Sequence, residues 1–291
     1  MWRGWWLAIA ALLAPIATVD GGSALHISDF HQDNDYSPMN GDISFYCHNS
    51  THGTRLGDYG DYMCDAPKSL VMNALNAASR INPTPKYIFW TGDNVPHINN
   101  TLYNSSDVVR NIQQTTAQLN ATFPNVSKIF PVLGNHDYWP SNGFPDQQNP
   151  VYKGAFDQWK HWIGDQAEST FLKGGYYKYS LDSKTTLLAL NTNLYYNEDG
   201  YFPNFTNPAD PADQFAFMEQ ELSNATKNGQ FVHIVAHIAP GVFDRTANFT
   251  WLRPDYNKRF IDIAVRYSNV IKWMLFGHHH TDTFHIVKVS N

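Results

Sequence analysis

Short apolar runs alternate with stretches of helical periodicity along most of the chain. Eight runs have the length and composition of strands, at residues 24–28, 87–91, 128–133, 176–181, 186–191, 231–236, 272–276 and 283–289. Five stretches have the spacing and start signals of helices, at residues 67–80, 106–122, 152–164, 213–228 and 254–268. Strands that alternate with helices predict an α/β layered fold.

Two of the predicted strands, 176–181 and 186–191, are joined by only a short turn, which favours an antiparallel pair. The sheets are therefore expected to be mixed rather than purely parallel. We predict two mixed β-sheets packed as a sandwich and flanked by helices, an α/β arrangement of four layers. Residues 137–150 and 193–211 are predicted to be long loops, and loops of that size in compact domains are often functional.

Residues 1–22 have the layout of a secretory signal peptide. A single cation, Arg3, precedes an apolar stretch at residues 5–14, and small residues follow this stretch. No later segment reaches the length of about 18 apolar residues expected of a membrane helix. We therefore predict a secreted or extracellular protein with no transmembrane segment, and a lysosomal or lumenal location is the alternative. Residues 23–291 are predicted to form one domain.

Bulk composition excludes several classes of protein. The chain has 291 residues, of which 43% are hydrophobic and 16% charged, and its formal net charge is −6. The apolar content is too high for a disordered chain and is enough for a large core. The acidic balance argues against a basic nucleic-acid-binding surface. The 13 histidines stand out, because histidine is both a common metal ligand and a proton carrier near neutral pH.

Eight glycosylation sequons and two cysteines agree with secretory routing. The sequon asparagines are Asn49, Asn99, Asn104, Asn120, Asn125, Asn204, Asn224 and Asn248. In an oxidising compartment Cys47 and Cys64 are expected to form a disulfide. The alternative is a small zinc site made by Cys47, His48, His52 and Cys64, although this spacing does not match the usual zinc-finger patterns.

Polar side chains that can bind a metal follow five of the predicted strands. The seven ligand candidates are Asp29, His31, Asp93, Asn135, His237, His278 and His280. Because the carboxyl ends of strands line the binding crevice of an α/β fold, these residues are expected to meet at one place. Imidazole, carboxylate and amide oxygen together suit zinc, manganese or iron, and a shared carboxylate can bridge two ions. Seven ligands are too many for one tetrahedral ion.

The ordered motifs resemble those of the calcineurin-like metallophosphoesterase superfamily. They are Asp-x-His at 29–31, Gly-Asp at 92–93, Gly-Asn-His-Asp at 134–137, a lone His at 237 and Gly-His-x-His at 277–280. Within the superfamily the chain is most similar to the acid sphingomyelinase-like phosphodiesterases. Purple acid phosphatases are a poorer match, because Pro96 stands where they carry the tyrosine that binds their ferric iron. The resemblance implies a metallophosphoesterase fold over residues 25–289.

The resemblance also implies a binuclear centre with two Zn²⁺ ions. One ion would be bound by Asp29, His31, Asp93 and His280, and the other by Asp93, Asn135, His237 and His278. Asp93 would therefore bridge the two ions. A pair of ions roughly 4 Å apart can clamp phosphate oxygens and neutralise the charge that develops during in-line attack.

Three further residues receive catalytic roles from the same resemblance. His136 and His97 are similar to the family's two non-ligand histidines, which lie at the phosphate and donate the proton that the leaving group needs. Asp137 is expected to orient His136, as carboxylates commonly do for imidazoles. The implied enzyme is a secreted, monomeric phosphodiesterase that hydrolyses phosphodiester or pyrophosphate bonds of small soluble substrates such as nucleotides.

Two alternative functions remain open at this stage. One is hydrolysis of sphingomyelin, and the other is a secreted metal-binding glycoprotein with little turnover. The second alternative arises because the chain stops at Asn291, eleven positions after His280, where members of the family continue into a further subdomain. The usual C-terminal subdomain is therefore expected to be absent.

Overall fold

The first sheet carries the early predicted strands. The computed structural model describes residues 16–19 and 22–287, with side chains from residue 22 onward. The strands of this sheet are β1 (Ile16–Val19), β2 (Gly22–Ile27), β3 (Tyr87–Trp90) and β4 (Ile129–Pro131). They lie in the order β1-β2-β3-β4, with β2, β3 and β4 parallel to one another and β1 antiparallel to β2.

The second sheet carries the late predicted strands. These are β5 (Tyr177–Ser180), β6 (Thr185–Ala189), β7 (Phe231–Val235) and β8 (Ile271–Leu275). Their order is β8-β7-β6-β5, in which only β5 and β6 are antiparallel. The hairpin that the short turn predicted is therefore present, and both sheets are mixed.

The two sheets pack face to face through aromatic side chains. The ring centroids of Phe89 on β3 and Trp273 on β8 lie 5.1 Å apart, and those of Phe130 on β4 and Tyr179 on β5 lie 4.9 Å apart. The hydroxyl of Tyr177 donates a hydrogen bond of 2.9 Å to a carbonyl of β4. All four residues of β3 are buried, which explains why this strand is continuously apolar in sequence.

Helices cover the outer face of each sheet, which completes the four predicted layers. Their bounds are α1 (Lys68–Ile81), α2 (Ser105–Thr122), α3 (Pro150–Ile163), α4 (Glu168–Gly174), α5 (Gln214–Asn228) and α6 (Pro254–Arg266). On the first sheet, Trp159 of α3 packs against Trp90 with centroids 5.6 Å apart. On the second sheet, α5 contacts β7, and Arg259 of α6 lies over the ring of Phe215 on α5.

Two helices begin where the sequence places strong start signals. The side chain of Asn104 accepts hydrogen bonds from the first turn of α2, and the carboxylate of Asp107 accepts one from the backbone N–H of Asn104. Asn149 caps α3, and Pro150 occupies the first helical position. The boundaries of these helices were therefore predictable from local chemistry.

One predicted strand is wrong over its described part. Residues 283–287 of the predicted strand 283–289 have no regular secondary structure, and residues 288 and 289 lie outside the described residues. The apolar side chains of Phe284 and Ile286 alternate as in a strand, but they are 83% and 71% exposed. No described strand lies beside them to bury that face. Helix α4 and strand β1 were not predicted.

The predicted signal peptide falls mainly outside the described residues. Its residues 1–15, 20 and 21 are outside them, whereas Ile16–Val19 forms strand β1. Among the described helices, none has the length and apolar character needed to cross a membrane. Seven of the eight sequon asparagines are exposed, and Asn224 on α5 is half-buried.

The two cysteines form the predicted disulfide, which excludes the alternative zinc site. Cys47 and Cys64 are bonded to each other, and the Cys47 side chain is fully buried. His48 is hydrogen-bonded instead to the buried carboxylate of Asp33, at 2.9 Å. The residues after Cys64 then form a short parallel pairing, Ala66–Pro67 with Gln32–Asp33, which ties this loop to the segment just after the first metal motif.

Candidate metal centre

The ligand candidates lie in turns that directly follow strands. Five of them have left-handed backbone conformations, with φ of 56° at Asp29, 39° at His31, 54° at Asp93, 70° at His278 and 50° at His280. Such angles are unfavourable for residues other than glycine and cost on the order of 1–3 kcal/mol each. They turn the chain sharply at the ends of β2, β3 and β8, which directs the side chains into one crevice.

Glycines let these turns approach one another closely. A Cβ atom on Gly92 would lie 2.3 Å from the backbone nitrogen of Gly134, and a Cβ atom on Gly134 would lie 2.1 Å from a carboxylate oxygen of Asp93. A Cβ atom on Gly277 would lie 2.2 Å from the hydroxyl oxygen of Ser28. Each of these glycines precedes a ligand candidate, so the motifs need glycine for backbone packing as well as for the turn.

One set of ligand atoms, which we call the first ligand group, comprises Asp29, His31, Asp93 and His280. The Nε2 atoms of His31 and His280 are 3.1 Å apart, and Nε2 of His280 is 3.2 Å from Oδ1 of Asp29. Oδ2 of Asp93 is 3.5 Å from Nε2 of His31. The donor atoms of Asp29, His31 and His280 lie close enough together to bind one ion, and Asp93 adjoins them through its contact with His31.

The second ligand group comprises Asn135, His237 and His278, again with Asp93. Oδ1 of Asn135 is 2.9 Å from Nε2 of His237 and 2.9 Å from Nδ1 of His278. Nε2 of His237 is 3.2 Å from Oδ2 of Asp93. The same oxygen of Asp93 therefore faces a histidine of each group, which is the position that a bridging carboxylate requires.

Hydrogen bonds on the far side of two imidazoles set their tautomers. Nδ1 of His31 is 2.8 Å from the carbonyl oxygen of Val95, and Nδ1 of His237 is 2.6 Å from that of Thr91. Since a carbonyl only accepts, each Nδ1 carries a proton, which leaves Nε2 as the nitrogen through which each ring would bind a metal ion. Nε2 of His31 then lies near Nε2 of His280. Two ring nitrogens this close together are placed to bind one cation between them.

Burial and mutual charge shift the pKa values in the second ligand group. Asp93 is 2% exposed; burial raises its pKa, but the surrounding histidines, above all His237, hold it well below its usual range. Burial lowers the pKa of His237, and the Asp93 charge more than offsets this, raising it to about 9. Burial lowers the pKa of His278 to about 3. The group thus keeps an ionised carboxylate in a site shielded from water.

The two predicted proton donors lie beside the first ligand group. The ring of His97 stacks on that of His31 with centroids 3.9 Å apart, and the His136 ring lies edge-on to His97 at 4.3 Å. The backbone N–H of His136 donates to Oδ1 of Asp93 at 2.8 Å. Burial lowers the pKa of His136 to about 4. Burial also acts to lower the pKa of His97, but the carboxylate of Asp65 outweighs this effect and raises it.

Asp137 is fully buried, but its contacts differ from those expected. Its carboxylate accepts hydrogen bonds of 2.8–3.3 Å from the backbone N–H groups of residues 93–95 and Gly134, and from the side-chain amide of Asn94. The His136 ring is not among these partners. Adjacent residues in this turn point in different directions, so Asp137 organises the Asp93 loop rather than His136.

Sequence reasoning missed two polar partners of the site. Oδ1 of Asn142 accepts a 2.9 Å hydrogen bond from Nδ2 of Asn135, which leaves Oδ1 of Asn135 facing the second ligand group. Asp65 hydrogen-bonds His97 through a 2.9 Å contact between its Oδ1 and Nδ1 of the ring. Neither residue belongs to a ligand motif, and Asp65 is 32 positions away from its partner, so sequence offered no signal for either.

A cavity of about 340 Å³ lies beside His97, whose ring stacks on that of His31. It is bounded by His97 and by the disulfide loop, with lining residues Tyr46, Tyr62, Met63, Cys64 and Asp65. Tyr62 and Met63 are 85% and 71% exposed, so the cavity has an apolar rim that is open to solvent. Beside the second ligand group, the ring centroids of Trp251 and Tyr196 lie 4.7 and 5.5 Å from that of His278.

Ligand groups that share one carboxylate at the ends of sandwich strands define a binuclear metal-site protein. The chain belongs to the calcineurin-like phosphoesterase family, whose model matches residues 23–282. This match confirms the family resemblance and the fold that the motifs implied.

The chain is also similar to named members of this family. It is 34% identical to acid sphingomyelinase-like phosphodiesterase 3b of Mus musculus over 279 residues, which is 94% of this chain and 60% of that protein. It is 33% identical to the cyclic GMP-AMP phosphodiesterase SMPDL3A of Homo sapiens, over 97% of this chain and 64% of that protein. It is 30% identical to sphingomyelinase phosphodiesterase C of Dictyostelium discoideum, over 91% of this chain and 59% of that protein. The chain therefore spans less than two thirds of the length of these relatives.

Proposed function

We propose that the chain carries the catalytic domain of a secreted, zinc-dependent phosphodiesterase that acts as a monomer on small soluble substrates. The observation that carries this proposal is the placement of Asp93, whose Oδ2 lies 3.5 Å from Nε2 of His31 and 3.2 Å from Nε2 of His237. One carboxylate thus serves two ligand groups, the arrangement needed for two-metal hydrolysis. Imidazole, amide and carboxylate ligands suit zinc.

The first ligand group would hold one ion and the second ligand group the other. When bound, such a pair supplies Lewis acidity toward the phosphoryl oxygens. Hydrolysis breaks the bond between phosphorus and the leaving oxygen, adds an oxygen from water, and requires a proton on the leaving alkoxide. His97 and His136 border the first ligand group. Because Nδ1 of His97 bonds Asp65, the Nε2–H of the protonated His97 ring would supply that proton and leave a neutral ring that keeps its Nδ1 proton.

The leaving group would occupy the cavity beside His97. Its volume of about 340 Å³ suits a group such as a nucleoside, and the rings of Tyr46 and Tyr62 offer apolar faces for stacking. The named cyclic GMP-AMP phosphodiesterase relative supports a substrate of this class. The product would be a phosphomonoester.

Sphingomyelin is the second candidate substrate. The exposed side chains of Tyr62 and Met63 give the cavity an apolar rim that a lipid surface would favour. The name of the Dictyostelium relative supports this candidate. In that case activity would depend on presenting the substrate in a bilayer.

The test is to express the full chain in a secretory host and measure its metal content, its mass after enzymatic deglycosylation, and its phosphodiesterase activity. We expect secretion, attached glycans, about two zinc ions per chain, and hydrolysis of cyclic GMP-AMP and bis(p-nitrophenyl) phosphate. Sphingomyelin vesicles separate the two candidate substrates. In His136→Ala, turnover of cyclic GMP-AMP should fall on the order of 10²- to 10⁴-fold. A zinc-loaded protein that cleaves none of these substrates would favour the binding glycoprotein instead.

A further inference from the structure

The ring of His97 is held by a carboxylate from the disulfide loop. Oδ1 of Asp65 is 2.9 Å from Nδ1 of His97, and Oδ2 of Asp65 accepts the backbone N–H of the same residue. One carboxylate therefore holds both the main chain and the side chain of His97. In the described part of the chain, the Asp65 contact is the hydrogen bond that the structure gives to the His97 ring.

Asp65 is itself held from both sides. The preceding residue, Cys64, is bonded to the fully buried Cys47. The following residues, Ala66–Pro67, pair with Gln32–Asp33, directly after the ligand His31. The carboxylate is thus part of a loop anchored both by the disulfide and by the chain that carries the first ligand group. This anchoring gives Asp65 a defined position although its side chain is still 20% exposed.

We infer that Asp65 is a positioning residue for His97, and this inference rests on the proposed function. The His97 side chain is 46% exposed, so without an anchor its ring could rotate and exchange tautomers in water. Asp65 accepts the hydrogen bond from Nδ1, so the ring, when protonated on both nitrogens, presents its Nε2–H to the leaving oxygen and keeps the Nδ1 proton after Nε2 has donated. Asp65 does not itself touch the reacting atoms.

The first test compares two leaving groups. The leaving group of cyclic GMP-AMP is a ribose alkoxide, which needs a proton. The leaving group of bis(p-nitrophenyl) phosphate is a nitrophenolate, which does not. Asp65→Ala should lower kcat on cyclic GMP-AMP about 10- to 100-fold, the usual loss when such a carboxylate partner is removed, and should change kcat on the nitrophenyl ester far less. Asp58→Ala is the matched control, because Asp58 lies in the same loop with its side chain 68% exposed.

The second test asks whether Asp65 acts through His97. In a His97→Ala background, Asp65→Ala should cause no further loss of kcat, because the group that it positions is gone. Additive losses in the double variant would overturn the inference. Equal losses on both leaving groups would overturn it as well, because they indicate damage to the site rather than to proton donation. Asp65→Asn retains an oxygen acceptor and should recover part of the activity.

A third measurement does not depend on turnover. In ¹⁵N-labelled protein, at a pH where the His97 ring is neutral, NMR should show the remaining proton on Nδ1, and Asp65→Ala should convert the ring to a mixture of tautomers. An unchanged ring spectrum in a folded Asp65→Ala variant would overturn the inference. If the wild-type chain cleaves neither substrate, the proposed function fails, and this spectrum still decides whether Asp65 holds His97.

Discussion

The two ligand groups share Asp93 but differ in their surroundings. The side chain of His237 in the second group is fully buried, and Asn135 is 3% exposed. In the first group the His280 side chain is 48% exposed and the ring of His97 lies alongside. The second group is therefore closed around His237, whereas the first group is open to solvent on the side of His280.

This difference depends on where each ligand enters the crevice. His237 lies two residues after the end of the central strand β7, and its Nδ1 hydrogen-bonds the carbonyl of Thr91, which follows β3 of the facing sheet. His280 lies three residues beyond Gly277, in a turn that runs out toward solvent after the edge strand β8. The turn after a central strand of a sandwich is covered by its neighbours, whereas the turn after an edge strand is left exposed. The difference in exposure between His237 and His280 thus follows from the order of the strands in the second sheet.

Replacing the shared ligand should have the largest effect, because it damages both groups at once. Asp93→Ala removes the oxygen that faces His31 and His237. We expect metal content to fall for both sites and kcat to fall by more than the roughly 10- to 100-fold loss that accompanies removal of a ligand's hydrogen-bond partner. Metal analysis with diesterase assays measures this. Retention of two ions per chain would show that Asp93 does not bridge them.

Removing the acceptor that organises the Asp93 loop should mainly reduce stability. Asp137→Ala leaves buried N–H groups of residues 93–95 and Gly134 without their acceptor, and we expect a loss of roughly 3 kcal/mol in the free energy of unfolding. Denaturant unfolding of the metal-free protein measures it. Asp182→Ala, in the turn between β5 and β6, is a control outside the site. A stability change no larger than in that control would contradict the assigned role.

Parallel substitutions in the two groups test the contrast between the buried His237 and the exposed His280. His237→Ala opens a gap in the buried site and should lower the free energy of unfolding by roughly 2 kcal/mol. His280→Ala removes an exposed ring and should leave unfolding nearly unchanged while lowering turnover. Thermal and denaturant unfolding of the metal-free variants separate these effects. Equal destabilisation by both substitutions would show that the two groups do not differ as described.

The smallest effect is expected at the partner of Asn135. Asn142→Ala frees the amide of Asn135 to rotate, so the second ligand group should bind its ion about tenfold more weakly. Zinc titration against a competing chelator measures this affinity. Ser141→Ala is the adjacent control, because its hydroxyl bonds Asn100 rather than a ligand. Unchanged affinity in Asn142→Ala would mean that Asn135 is held by its other contacts.

Most of the helices and strands were predictable from local patterns of apolar and polar residues. Seven of the eight predicted strands and all five predicted helices occur, with ends within a few residues. The exception is the predicted strand 283–289, whose described residues 283–287 form no strand. Its apolar residues Phe284 and Ile286 have the two-residue spacing of a strand, but a strand also needs a neighbouring strand that accepts its hydrogen bonds. The ligand candidates were equally readable, because each lies just after a strand and the carboxyl ends of strands share one crevice.

The partners of those ligands were not readable in the same way. The Asp65 contact with His97 spans 32 positions. The acceptor that fixes His31 is the backbone carbonyl of Val95. Every residue type has such a carbonyl, so the residue type at position 95 does not reveal this contact. Asp137 illustrates the same limit, because its neighbour in sequence is His136 but its hydrogen bonds go to the Asp93 loop. Adjacency along the chain does not determine which way a side chain points in a turn.

By itself, the sequence determined the layered fold, the turns that need glycine, and the identity of the side chains that converge. These are local properties, set by periodicity, by steric limits on the backbone and by the chemistry of each residue. Only the tertiary structure decided that one oxygen of Asp93 faces both ligand groups, that His237 is buried while His280 is exposed, and that Asp65 holds His97. Those features depend on contacts between distant segments, which exist only once the two sheets have packed together.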